Sequence, residues 1–417
     1  LFKNSDSSFV NTADIGSPSS RQTGTGHMTH GTFSNYFCLL SELTGISNKF
    51  ERLNKPNTMS AKNILVIYPE VDITKIAVYR NISLIFLKSI RHKPEALAGF
   101  SHVIEELDYR TGLILEELKN NQIDPADIAV VMARGGLIKP LKSGVYQVNE
   151  AMKNDLRVGV MGMHATNLGG LIADKIASQL PDAKAYLADP VVVDEMEPIA
   201  KVSGLPQIER NSVFHALNHF NVSREYAKSI NRNYKDLRMV IAYIGNGGVS
   251  VGAHRNGQVV DVNQAFDGDG PFSMTRTGSL PVGQLVDLCY SGKYTREELR
   301  RLITEEGGIK AYLGTKSLSE VSSMVDEGDE QASFIVDAMA YQIAKEIGSM
   351  AAVLEFDVDA ILIMGSIMNN KFFTDKLISR IRKIAPVSIY PIVNDLDSLA
   401  INGNMILRGE AEIFEYE

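Results

Sequence analysis

Two stretches of this sequence, YPEVDITKIAVYRN at 68–81 and YIGNGGVSVGAHRN at 243–256, lie over each other without a gap, with Tyr68 on Tyr243 and Arg80-Asn81 on Arg255-Asn256. Identity between them is sparse, and the plan they share carries more weight. Each reads as a strand, a short turn, a strand, a second turn and a third strand: 63–67, 75–79 and 84–87 in the first copy, 239–244, 249–254 and 258–262 in the second. The runs are short, apolar or alternating, and bounded by turn residues, as half-buried and buried strands require. A pattern that restarts in this way constrains the chain to a duplicated fold, two related domains facing each other.

Between and after the two copies, strands alternate with helical periodicity. Residues 94–120 read as one long helix, followed by a strand at 128–132, a helix at 165–179, a strand at 185–188 and a helix over 208–227. In the second half, helices are expected at 282–291, 295–304 and 330–355, then a strand at 360–364, a helix at 371–384, a strand at 387–390 and a closing helix at 395–407. Within 330–355, Ile335, Met339, Ile343, Ile347, Ala351 and Leu354 form one apolar face, which predicts a helix laid on a sheet. Such alternation is the signature of α/β architecture. The expected division is 59–192 together with 396–417 as one domain and 193–395 as the other.

The first 58 residues differ. They are rich in Ser, Thr, Asn and Gly, and are expected to be a poorly ordered extension or translated upstream sequence. Net charge is −8, which speaks against a general nucleic-acid surface, since that needs clustered Lys and Arg. No run approaches the length of apolar residues a membrane span needs. The two cysteines, Cys38 and Cys289, show no metal-ligand spacing and fit a reducing, cytoplasmic compartment.

The two first turns are chemically opposite. In the second copy, Gly245-Asn246-Gly247-Gly248 would let backbone N–H groups surround an anion. A hairpin uses the same residues, although four residues is long for a tight one. In the first copy the turn is Tyr68-Pro69-Glu70-Val71-Asp72-Ile73, with no glycine and two acids.

Several further stretches, RGGLIKPLKSGVYQVN (134–149), HATNLGGLIADKIA (164–177), DPVVVDEMEPIAKVSGLPQIERNSVFHALN (189–218), VSVGAHRNGQVVDVNQAFDGDGPFSMTRTGSLPV (249–282), DAMAYQIAKEIG (337–348) and NDLDSLAINGNMILRGE (394–410), resemble the acetate and butyrate kinase group of the actin/sugar kinase/Hsp70 superfamily. The likeness covers 62–417 in order. It implies a duplicated actin-like ATPase fold of ribonuclease H-like domains with a cleft between them. It implies phosphoryl transfer between ATP and a short-chain carboxylic acid such as butyrate, giving an acyl phosphate and ADP, with Mg2+ on the nucleotide. A homo-oligomer is implied as well.

By the same resemblance, Arg134, Asp189, His215 and Arg276 stand where the family holds the acid and the transferring phosphoryl group. An anion must attack an anion here, so cations and oriented donors carry the catalysis. Arg134 and Arg276 suit this because a guanidinium grips carboxylate or phosphate with two parallel donors. Gly245, Asn246, Gly247, Gly248, Gly365 and Lys75 would meet the nucleotide, and Asp395 would meet it through the metal.

The chain departs from the family at the nucleotide side. The usual Asn-x-Gly-Ser-Thr/Ser-Ser/Thr-x-Lys becomes 68–75, with Tyr68 for the asparagine, Glu70 for the glycine, and Val71, Asp72 and Ile73 for the hydroxyl residues. A histidine becomes Tyr243, Thr-Gly-Gly becomes Met364-Gly365-Ser366, and Asp395 stands for a glutamate. Two acids would repel a triphosphate in a closed cleft. Two readings stand side by side: a carboxylate kinase with a rebuilt loop, and a non-catalytic relative that keeps the carboxylate pocket.

Overall fold

Strand β1 (Asn63–Pro69) is buried at every residue, which its run of Ile, Leu and Val permits only where both faces of a sheet are covered. The computed structural model describes residues 62–417 except Asn246 and Val393, so the expectation for 1–58 lies outside the described residues. Ser60–Glu417 forms one unit.

Two sheets carry it. The first contains β1, β2 (Ile73–Arg80), β3 (Ser83–Arg91), β4 (Ile128–Ala133), β5 (Val145–Gln147), β6 (Lys184–Ala188) and β12 (Ile413–Phe414), in the order β12-β5-β6-β4-β1-β2-β3. The second contains β7 (Met239–Gly245), β8 (Gly248–Arg255), β9 (Gln258–Val262), β10 (Ala360–Met364) and β11 (Val387–Tyr390), in the order β11-β10-β7-β8-β9. The run β6-β4-β1-β2-β3 repeats as β11-β10-β7-β8-β9, with the antiparallel and parallel pairings in the same places.

The two copies share register as well as plan. Tyr68 pairs with Lys75 and Tyr243 with Ser250, at equivalent positions of the two copies. The β-bulge at Val78/Tyr79 recurs at Ala253/His254. A bulge is a specific irregularity that survives because it re-aims a strand, so its recurrence ties the halves together more firmly than sequence identity does.

The helix Glu330–Val353 opens with Asp329 accepting a hydrogen bond from the Ala332 N–H, an ordinary N-cap. Its expected face is buried in the second core with Val251, Ile361 and Ile363. The helix Ala216–Ser229 covers the other face of the same sheet, packing Val222 and Ala227 on Met239, Ile241 and Leu362. The helix Asp395–Leu407 belongs to the first sheet, with Leu396 and Leu399 on Ile64, Val66 and Met132. These last two helices touch each other, and strand ends from both sheets open beside them.

Three expectations need correction. The stretch 94–120 is not one helix: a short turn of helix at Pro94–Leu97 and a 3-10 turn at Val103–Glu106 precede the helix Leu107–Asn120. The break falls at Gly99–Ser101, where the Ser101 N–H bonds the Glu105 carboxylate at 2.8 Å and starts the chain afresh. Helix over 208–227 begins only at Ala216. Before it, Ser212 Oγ donates to the Val193 carbonyl at 2.6 Å and Phe214 N–H to the Val191 carbonyl at 3.0 Å, so the segment runs extended beside 191–193. Third, Gly245 pairs with Gly248, leaving two residues between the strands. The strands therefore come closer along the chain than the four-residue turn expected from the sequence. Helices at Glu150–Val158, Gly308–Leu313 and Leu318–Asp326 carried too few apolar repeats to be foreseen.

Candidate functional site

The ends of β1, β4, β7 and β10 line a cleft of about 720 Å³, the position at which open α/β sheets present ligands. Arg134 follows β4, Asp189 follows β6, and His215 stands at the N-cap of the helix Ala216–Ser229. Arg276 lies in the loop before the helix Val282–Cys289, not at its start; there Arg276 N–H bonds Ser273 Oγ at 3.1 Å. All four line the cleft, as do Lys75, Gly245, Gly247, Gly365 and Asp395. Asn246 lies outside the described residues.

A smaller cavity of about 100 Å³ opens from the cleft. One end holds Arg134, Arg276, His164 and His215; the walls include Leu137, Val191, Val213, Phe214 and Phe266. Arg276 stacks on Phe266, its Cζ 4.6 Å from the ring centroid, and Arg134 stacks likewise on Tyr68 at 4.6 Å. Arg276 Nη1 donates to the Ala265 carbonyl at 2.8 Å, while its buried Nε has no partner among the described residues. Burial, with Arg134 nearby, pushes the Arg276 guanidinium down to about 10. A cation held this way has donors to give and charge to neutralise, so the pocket calls for an anion.

The histidines complete the head of the cavity. Thr166 N–H donates to His164 Nδ1 at 3.2 Å, which leaves the ring proton on Nε2. Burial, with Arg134 and Arg276, lowers His164 to about 4, so it is neutral at pH 7. His215 stacks on the Tyr243 ring at 4.0 Å between centroids, and burial holds it well below the ordinary histidine value.

Asp189 is 2% exposed and has φ of +40°, a left-handed conformation that costs energy outside glycine and is typical of constrained sites. It accepts from the Gly144 N–H at 2.7 Å and from Arg224 at 3.3 Å. Burial pushes its carboxyl up, and Arg224 opposes that shift. The two bonds tether Asp189 to Gly144 and Arg224 where the loop 189–191 passes the cavity. Val191 lines the cavity, whereas Val145 is core.

The nucleotide side is built differently. The first turn has its Glu70 N–H bonded to the Ile73 carbonyl at 2.8 Å. Arg110, whose side chain is 0% exposed, donates to the Glu70 and Val71 carbonyls, to Thr74 Oγ1 and to Glu106. Lys75 is paired with Glu70 at 2.8 Å. Tyr68 OH donates to Asp395 Oδ2 at 2.6 Å, and the other oxygen, Oδ1, is buried without a partner among the described residues. Gly248 and Gly365 have φ of +138° and +128°. A Cβ on Gly248 would lie 2.5 Å from the Ala265 carbonyl oxygen and one on Gly365 2.1 Å from that of Ile244, so both glycines serve close backbone packing in this structure. Among the described residues no cluster of three or more His, Cys, Asp or Glu could hold a metal, and no helix is long and apolar enough to cross a membrane.

Sequence reasoning missed His164, Arg224 and Arg110. The stretch HATNLGG contained the signal for the first, a polar residue opening a helix that points back at a strand end. Arg110 has one local partner, Glu106 at i−4, but the turn carbonyls it holds, and the Asp189 that Arg224 reaches, lie 35 to 40 residues away.

Residues 207–401 match the Acetokinase family. The chain is 46% identical over 354 residues to butyrate kinase 2 of Clostridium acetobutylicum, covering 85% of this chain and 99% of that protein. The chain belongs to the acetokinase family. A probable butyrate kinase of Bacteroides thetaiotaomicron is 44% identical over 354 residues, again 85% of this chain and 99% of the relative. Among solved structures, the acetate kinase of Porphyromonas gingivalis superposes with a TM-score of 0.67 at 17% identity, covering 84% of this chain and 100% of that one. The fold is thus the duplicated actin-like ATPase fold of that family, reached here from the repeated register and there from the superposition.

Proposed function

We propose that this protein transfers a phosphoryl group between ATP and a short-chain aliphatic carboxylate of the butyrate class, forming an acyl phosphate and ADP. The observation that carries the proposal is Arg276, a cation with a buried, unused Nε donor at the head of an apolar-walled cavity. A cavity of about 100 Å³ suits a carboxylate with a few carbons, given that roughly 150 Å³ accommodates benzene. Arg134 and Arg276 would hold the carboxylate and spread the charge of the transferring group, with the neutral His164 donating from Nε2. No general base is required, because a carboxylate is already ionised at neutral pH. Mg2+ bound with the nucleotide would neutralise phosphate charge. Asp395 is the fitting protein contact, because one carboxylate oxygen is unpartnered and the ion takes few protein ligands.

The test is titration calorimetry with sodium butyrate and with Mg-ATP, followed by trapping of acyl phosphate with hydroxylamine. Binding of both and hydroxamate formation are expected. Butyrate that does not bind overturns the proposal.

A second reading is favoured by one observation. The Glu70–Lys75 pair and the Tyr68–Asp395 bond occupy the first phosphate-loop position, which suits a protein that binds the carboxylate and transfers nothing. Butyrate binding without Mg-ATP binding at millimolar concentration would establish it. On either reading, exchanging Tyr68→Asn together with Glu70→Gly removes one negative charge and one plug, and raises Mg-ATP affinity about tenfold, roughly 1.4 kcal/mol. Equal affinities in the two proteins would show that the turn is indifferent to nucleotide.

We also propose a homo-oligomer. The helix Val282–Cys289 has no buried residue, and Val282, Val286 and Tyr290 stand 73%, 48% and 88% exposed, an apolar patch that monomers seldom leave open. Light scattering is expected to give a multiple of the chain mass, and Val286→Glu to shift it toward the monomer.

A further inference from the structure

Four hydrogen bonds run in series from the cleft into the core of the second sheet. His215 Nδ1 meets Ser250 Oγ at 2.9 Å, and Ser250 Oγ meets His219 Nε2 at 3.0 Å. His219 Nδ1 meets His254 Nε2 at 3.1 Å, and His254 Nδ1 meets Tyr234 OH at 2.8 Å. Ser250, His219 and His254 are 0% exposed. Phe214 and Phe220 pack edge-on against the inner histidines. Tyr234, at the far end, lines a hollow on the surface with Arg232 and Asn233. The carboxylate chemistry uses nothing of this chain beyond His215.

We propose that Tyr234, His254, His219 and Ser250 position the proton of His215, and that the three histidines share a single tautomer which an anion in the cavity sets to Nε2–H. The proposal deepens the carboxylate reading of the same site and rests on it for the identity of the anion.

A proton count limits the possible states. Tyrosine, serine and each neutral imidazole have one polar proton, so five groups carry five protons. Four links use four of them. The fifth is left over at one end, on His215 Nε2 or on Tyr234, or in the middle on Ser250 when both flanking rings donate to it. If Tyr234 donates to His254 Nδ1, then His254 donates from Nε2, His219 from Nε2 and Ser250 to His215 Nδ1, leaving His215 with its proton on Nε2. If every link reverses, all three histidines carry the proton on Nδ1, and Tyr234 turns its own away from His254. Ser250 could accept from both neighbouring rings through its two lone pairs, but that arrangement strands its own buried O–H without an acceptor among the described residues; every other mixed arrangement sets two donors or two acceptors face to face, and the lost buried hydrogen bond disfavours each of them. Burial supports the count by keeping the rings neutral: His219 is lowered to about 3, and His254 lies well below the ordinary value.

The cavity end decides between the two states. Among the described residues His215 Nε2 has no partner, and Arg134 and Arg276 beside it are donors only. An anion brought in by those arginines supplies the missing acceptor for an Nε2 proton. Ser250, His219, His254 and Tyr234 are then positioning residues: they touch no substrate, and they act through the ring that does.

The experiment is nitrogen NMR of the full chain labelled with 15N-histidine, where a protonated ring nitrogen and a bare one resonate far apart. Signals are assigned by single substitutions. With sodium butyrate added, His215, His219 and His254 are expected to show the proton on Nε2 in all three rings. Without it, all three still share one tautomer or exchange together between the two. A mixed set, or a doubly protonated ring, overturns the proposal. Ser250→Ala cuts the chain next to His215, and is expected to leave His215 populating both tautomers while the His164 signals stay in place. His215 signals unchanged by Ser250→Ala would also overturn it. Should that variant not fold, the shared tautomer of the wild-type protein decides alone. Butyrate that moves no histidine signal counts against the carboxylate reading and not against the chain, whose shared tautomer is read in the ligand-free protein.

Discussion

Arg276→Ala is expected to weaken butyrate binding 10- to 100-fold and to lower acyl phosphate formation by about a thousandfold, both measurable by the calorimetric and hydroxylamine-trapping assays. The first figure follows from removing a charge-assisted hydrogen bond worth about 1.5–3 kcal/mol. The second follows from the charge that a guanidinium stabilises during phosphoryl transfer. Arg276 is suited to both because its position is fixed without using it up. Nη1 is tied to the Ala265 carbonyl, Phe266 supports one face, and Nε is left over. Arg276→Lys keeps the charge and loses the fork, so it should recover part of the binding and little of the turnover. Butyrate affinity unchanged in Arg276→Ala would remove this residue from the site.

Arg110→Met is expected to destabilise the protein by about 3–5 kcal/mol, the usual result of removing one partner from a buried ion pair. Methionine fills comparable space, so cavity formation is not the main cost. The loss comes from the partners left behind: the Glu106 carboxylate and the carbonyls of Glu70 and Val71, all held by Arg110 at 2.8 Å or less. Adding Glu106→Leu to Arg110→Met should restore part of the stability, because it removes the unpaired charge. Equilibrium unfolding in urea measures both. If the single variant lost no more than about 1 kcal/mol, the size of an ordinary hydrogen bond, Arg110 would be an ornament of the turn and not its clamp.

The fold was readable in the sequence to the extent that apolar periodicity carried it. The ungapped overlay of 68–81 on 243–256 anticipated the duplicated sheets; the matching register and bulges came from the structure. Periodicity also misled. Residues 208–215 have helical spacing, yet Ser212 and Phe214 bond to the 191–193 segment and hold the chain extended, a pairing between positions far apart that no local window contains. At the candidate site, the motifs led to four residues that line one cleft, Arg134, Asp189, His215 and Arg276. Their supports were not readable in the sequence. Arg224 reaches Asp189, Arg110 reaches the first turn, and Ser250 joins two histidines from another element. Each of these depends on a three-dimensional meeting of residues whose types, taken singly, are ordinary surface or core choices.

The first turn has one more implication. Arg110 grips the carbonyls of 70 and 71, backbone atoms that every residue possesses. The scaffold under the turn is therefore indifferent to which side chains the turn displays. In the genetic code, tyrosine and asparagine codons differ at a single base, as do those for glutamate and glycine. The family's Asn-x-Gly is thus two point mutations from the present Tyr68-Pro69-Glu70, on a support that neither change disturbs. The side chains shown to the cleft can thus change by single base steps while the backbone that carries them keeps its clamp.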